Sequence, residues 1–273
     1  MVNLRGFINK ALFTGALALA VGSYSGSVSA DSGTSQVFRS NVSTNVDYAV
    51  FNINGKKFQE GVSFGIEGKL DISIIGWLGA YGDLEFNHQE YSAVDVPVTE
   101  TINDFDLSFG AKATLYSSGS FRIYLDVGAK YFLDDEGMAF DKSSAYIVKN
   151  VGGPAFKLGF ESRNLDVVIS FSELMGERTS SFEEKDNYEV KQLGLEILSR
   201  FWRIEMPVSG KAILGSVKDY QIDYPDFLLK FKFKPGIDLS SHVNTFVKLE
   251  YDFTLGAEMY EIWKIGGGVK IKW

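Results

Sequence analysis

The chain closes on "IWKIGGGVKIKW", residues 262–273. Apolar residues or glycine stand at every second position, from Trp263 through Ile265, Gly267, Val269 and Ile271 to Trp273. Lys264, Lys270 and Lys272 hold the other phase. A period of two is that of a β-strand, whose side chains alternate between faces. The chain thus finishes on a strand with one apolar face and one basic face.

The same alternation recurs upstream. It runs through "GVSFGIEGKLDISI" (61–74), "FDLSFGAKATL" (105–115), "FRIYLDVGAKYFL" (121–133), "DFLLKFKFK" (226–234) and "VNTFVKLEYDFTL" (243–255). Read end to end, the pattern predicts about twelve strands. They fall near 37–52, 60–74, 77–91, 99–116, 120–133, 145–162, 165–175, 187–198, 202–216, 226–234, 243–257 and 261–273. Charge and Pro207 blur the phase of the first, eighth and ninth, so ten to fourteen strands fit the pattern.

Connection lengths alternate. Short turns fall at "SIIGW" (73–77), "YSSGS" (116–120), "SRNL" (162–165), "SRFW" (199–202) and "KPGIDLSSH" (234–242). Longer, mostly acidic stretches lie between them: "HQEYSAVDVPVTETIN" (88–103), "LDDEGMAFDKSS" (133–144), "ELMGERTSSFEEKDN" (173–187) and "SVKDYQIDYPD" (216–226). "NINGKK" (52–57) and "GAEMYE" (256–261) stay short. Short turns at one end and longer loops at the other is the plan of an up-and-down transmembrane barrel. A soluble sandwich also alternates, but its strands usually run to about five or six residues. Several here exceed ten, about the length that crosses a bilayer as a tilted strand.

Composition agrees. The 273 residues include 22 Phe, 13 Tyr and 28 Gly but only 5 Pro, and no Cys. Aromatics suit pleated surfaces, and glycines suit turns and crowded strand positions. The N-terminus carries Arg5 and Lys10, then the apolar run "ALFTGALALAVG" (11–22), then Val28-Ser29-Ala30. That order predicts a cleaved secretory signal over 1–30, leaving 31–273 as one barrel domain. The formal net charge is −8, and the signal's loss removes two of its cations. An acidic chain without a basic arm is a poor match for nucleic acid.

The ending "WKIGGGVKIKW" resembles the C-terminal signature of Gram-negative outer-membrane β-barrel proteins, a terminal aromatic preceded by alternating apolar residues. The resemblance implies an all-β, transmembrane, antiparallel up-and-down β-barrel in the outer membrane. It further implies Trp263, Ile265, Val269, Ile271 and Trp273 as an assembly signal read by the barrel-assembly machinery, with outer-membrane lipids and lipopolysaccharide as surroundings. It covers the architecture of the whole mature chain and points to no single family.

On that plan the polar phase faces a lumen. Candidate pore-lining residues are Lys230, Lys232, Lys234, Lys248, Lys264, Lys270, Lys272, Arg122, Lys130, Glu67, Asp83 and Glu85. Acids gather on the second and third strands and lysines on the last three. A basic stripe in a low-dielectric wall concentrates anions. The expectation is therefore a channel for passive diffusion of small hydrophilic solutes, anions among them, with no cofactor and no metal. The alternatives are a non-conducting surface protein whose loops bind a partner, and a lipid-modifying enzyme built on His88. A barrel plugged by internal ion pairs is open on the same residues, because buried charge must be compensated. With only His88 and His242 and no cysteine, the chain is not expected to be an enzyme.

Overall fold

A computed structural model describes residues 38–53, 55–93, 99–137, 146–179, 185–217, 226–255 and 260–273. The expected signal over 1–30 lies outside them, as do the middles of the longer loops.

The strands are β1 (Phe38–Ile53), β2 (Lys56–Ile75), β3 (Leu78–Ala93), β4 (Thr99–Ser118), β5 (Phe121–Gly137), β6 (Tyr146–Glu161), β7 (Leu165–Thr179), β8 (Lys185–Phe201), β9 (Ile204–Val217), β10 (Asp226–Phe233), β11 (Gly236–Asp238), β12 (Val243–Leu255) and β13 (Tyr260–Lys272). Chain neighbours pair antiparallel, and β1 then pairs with β13 from Asn41↔Lys272 to Ile53↔Tyr260. β12 pairs with β13, so the sheet has no free edge. β10 and β11 are two pieces of one stave, since both pair with β9 and β12. Pro235, which brings no N–H, separates them, and its carbonyl still accepts from Val247 N–H at 3.0 Å. The result is a closed antiparallel barrel of twelve staves. Closure is what lipid demands, since an unpaired backbone group there has no water to bond.

Sequence phase sets the two faces. On β7, Leu165, Val167, Ile169 and Phe171 point outward, and the next outward residue is Glu173. On β3 the outward series Leu78, Ala80, Leu84, Phe86 gives way to His88 and Glu90. On β8, Lys191 precedes the exposed Leu193 and Leu195. These switches mark one edge of an apolar belt, at the long-loop end. The other edge lies at the short turns, where Trp77, Tyr116, Phe201 and Trp202 are exposed.

The sequence-derived strands match those observed, including the three with blurred phase. The loops need correction. "LDDEG", expected as loop, belongs to β5, which pairs with β6 as far as Gly137↔Tyr146. β3 reaches Ala93 and β4 starts at Thr99, while β7 runs to Thr179 and β8 starts at Lys185, so the 88–103 and 173–187 stretches are both mostly strand. Above the belt the outward positions turn polar, at His88, Glu90, Glu173 and Lys191, so the apolar-outward contrast is lost while the backbone ladder continues. The turn Trp202-Arg203 is unusual in another way. Trp202 has φ 57°, a left-handed conformation in a residue with a Cβ.

Candidate functional site

The inward face of the barrel is polar over most of its height. Beginning at the short-turn mouth, Lys272 lies 2.7 Å from Glu205 and 2.8 Å from Asp238, and Lys270 lies 2.9 Å from Glu205. Arg122 lies 2.5 Å from Glu161, and Arg200 pairs with Asp166. Farther in, Lys232 lies 2.9 Å from Glu67 and 2.6 Å from Glu85, and Lys234 lies 2.6 Å from Glu67. Lys130 and Lys211 share Asp106 at 2.9 and 2.6 Å, while Lys157 pairs with Asp83. Lys264 lies 2.8 Å from Glu250.

Lys248 is buried in the wall, 1 % exposed, between Asp47 at 2.8 Å and Glu250 at 3.0 Å. Its local geometry explains the burial. In register, Lys248, Gly266 and Asp47 stand side by side on β12, β13 and β1. Gly266 has no side chain, so the residues on either side meet across it. A Cβ there would strike the Val46 carbonyl and Asp47 itself.

Several of these pairs span the bore. In the ring order β2 and β8 stand opposite each other, yet Lys69 lies 2.9 Å from Glu196. Lys232 to Glu85 joins β10 to β3, and Lys211 to Asp106 joins β9 to β4. A cavity of about 1040 Å³ remains, extending from the Ser117–Phe121 turn, Arg163 and Trp273 at the short-turn mouth inward to Lys130, Gln192 and Lys230. Deeper still is an apolar cluster of Phe132, Val151, Leu174, Val190 and Ile213, with Leu228 packed on it. These side chains share the inward phase, and of them only Phe132 borders the cavity.

Every sequence-derived pore candidate faces inward. All border the cavity except Lys248, which is sealed in the wall. The basic stripe, however, is matched. Its partners Asp47, Glu205 and Asp238, with Glu196 and Glu161 elsewhere, come from positions that the sequence reading passed over. Asp47, Glu196 and Glu205 sit on β1, β8 and β9, the strands whose phase is hardest to read. Strict alternation from Val46 and Tyr48 was the signal that could have placed Asp47 inside.

At the C-terminus, Trp263, Ile265 and Val269 are exposed on the outer wall, and Ile271 shares their phase. Trp273 donates its N–H to Ser40 O at 2.9 Å and borders the cavity mouth. His88 lies outside the lumen, just above the apolar belt. Its Nδ1 is 2.8 Å from Asn103 Oδ1 and its Nε2 is 3.3 Å from Glu90. His242 lies in the turn after β11, 2.8 Å from Ser241 Oγ.

No protein-family model matches the chain, and no curated protein matches it. Solved structures do. An outer-membrane channel from Pseudomonas putida F1 superposes with TM-score 0.57 at 10% identity, covering 89% of this chain and 100% of that one. The NanC porin gives TM-score 0.48 at 11% identity, over 84% and 98% of the two chains. The translocator domain of the autotransporter NalP from Neisseria meningitidis gives 0.43 at 13% identity, over 98% and 97%. The chain has the fold of an outer-membrane β-barrel.

Proposed function

We propose that the protein is an outer-membrane channel for the passive diffusion of small hydrophilic solutes, with its short turns in the periplasm. The observation that carries this reading is the cavity of about 1040 Å³, lined by many charged and hydroxyl side chains among apolar ones and open at the short-turn mouth. A lumen left to fill itself with leucine and phenylalanine would hold no such space. In this reading the ion pairs trim the bore and orient its field, and the chemistry needs no cofactor and no catalytic group. His88, held by Asn103 and Glu90 on the outer wall, takes no part. Trp263, Ile265, Val269, Ile271 and Trp273 serve assembly in the same reading, and lipopolysaccharide surrounds the long-loop end.

The matched lysines change the expected selectivity. Anion preference needs positive charge in excess, and each paired lysine has a carboxylate close by. Weak selectivity is the expectation. Refolded residues 31–273 in a planar bilayer should give steady ohmic steps with a reversal potential near zero in a salt gradient.

The bridges across the bore and the apolar cluster favour a second reading, a closed barrel whose outer end binds a partner. Hydrophobic constrictions can exclude water from a pore. A folded, heat-modifiable protein that inserts without conducting would overturn the channel reading in favour of this one.

A further inference from the structure

One row of cross-strand partners runs along the inner wall: Tyr81, Gly110, Gly128, Ala155, Ser172, Gln192. The middle of this row is nearly bare of side chain, whereas the opposite wall carries Glu67, Lys232 and Lys234. The Tyr81 ring reaches along the bare stretch, far enough for Lys157 Nζ of β6 to lie 4.8 Å from its centroid. Between that ring and Gln192 the wall offers only Ala155 and Ser172, with Ser170 and Gly194 in the adjoining row. At about 4.8 Å per strand, Ala155 to Gln192 is roughly 10 Å of low wall.

The polar groups bounding this recess are buried and unpartnered. Gln192 is 3 % exposed, and neither its Oε1 nor its Nε2 has a hydrogen-bond partner among the described residues. Tyr81 is 5 % exposed and Asp126 is 3 % exposed, and the same holds for the Tyr81 hydroxyl and Asp126 Oδ1. Buried polar atoms are almost always satisfied, so three such groups along one side of the lumen point to something that satisfies them. All three residues border the cavity, as do Ser170 and Ser172.

The groups also define what would fit. Gln192 offers both donors and an acceptor, Tyr81 and the serines can each do either, and Asp126 Oδ1 accepts. An anion would face Asp126. A cation would face Lys112 and Lys157, the register neighbours of Asp126. Those lysines are already held by Asp71 at 2.7 Å and by Asp83. An uncharged group that donates and accepts at short spacing meets every requirement, and hydroxyl groups carried on a sugar do so.

We propose that the wall between Tyr81 and Gln192 is a binding site for an uncharged, hydroxyl-rich solute, a saccharide or polyol. The proposal rests on the channel reading only in that the ligand enters from the cavity mouth. The test uses maltotriose, with gluconate as the anionic control, on the protein reconstituted in a planar bilayer. Maltotriose should reduce the single-channel current in a saturable way and gluconate should not. Gln192→Leu should weaken that block about tenfold, and Tyr81→Phe, which removes one hydroxyl and keeps the ring, about threefold. Equal block in wild type and both variants, or stronger block by gluconate, would overturn the site. Should the protein fold but pass no current, calorimetric titration in detergent separates the two ideas. Maltotriose binding lost in Tyr81→Phe or Gln192→Leu keeps the site and discards the pore. No binding to the wild type discards the site.

Discussion

Lys248 shows how a charge is housed in this wall. An ammonium removed from water is costly unless paired, and here Asp47 approaches it across a residue without a side chain and Glu250 from its own strand. Removing the lysine strands Asp47, itself almost wholly buried. Lys248→Met should therefore destabilise the refolded barrel by about 3–5 kcal/mol, read as a lower urea midpoint in detergent. Adding Asp47→Leu should recover much of the loss, and a double variant no better than the single would assign the cost to shape instead. Pairings of this kind are where sequence was least informative. Asp47, Glu196 and Glu205 are visible in the chain, but their partners lie up to half a ring away. Which staves face one another is fixed by tilt and closure, and local alternation carries no record of either.

At the scale of the strand, alternation is a strong guide. Each of the twelve staves was legible because lipid on one side and water on the other impose opposite demands on successive residues. It fails in three places for one reason. Above the belt, in "LDDEG", 88–103 and 173–187, apolar residues no longer hold one phase and the contrast disappears. The recess around Gln192 was equally hidden, because glycine, alanine and serine fit either phase. Gly266 marks the seam between the first and last strands. Gly266→Val would drive a side chain into the Val46 carbonyl and Asp47. The expected outcome is loss of the fast-migrating folded band on unheated gels, and an unchanged band would show that β13 can shift to accommodate it. Trp202 is the opposite case, a strained residue on an exposed turn. Trp202→Gly should relieve about 1 kcal/mol, raising the urea midpoint in detergent. A lower midpoint would mean that the ring gains more from the micelle than the turn loses.

For the whole molecule, the lumen behaves as a nearly neutral lattice whose balance single substitutions can tip. Glu205 holds both Lys270 and Lys272 at the mouth. Glu205→Gln should release Lys270, leave Lys272 to Asp238 alone, and move the reversal potential toward anion preference. Lys232→Met strands Glu85, leaves Glu67 to Lys234 alone, and should move it toward cations while widening the bore. If both variants leave selectivity where it was, ions do not pass by these residues.

The length of the strands has a consequence for how the molecule meets the outside world. β2 and β4 each run for 20 residues. At about 3.3 Å per residue and a tilt near 45°, that is ~47 Å of height, against an apolar band of ~25 Å. Part of the excess stands above Glu60, Glu90 and Glu173, as a stiff collar of paired backbone. With the short turns in the periplasm, as proposed, an antibody against the folded protein would meet there a discontinuous, conformation-dependent epitope drawn from many strands. Sera raised against the folded barrel should stain intact cells and lose much of that binding on denatured blots.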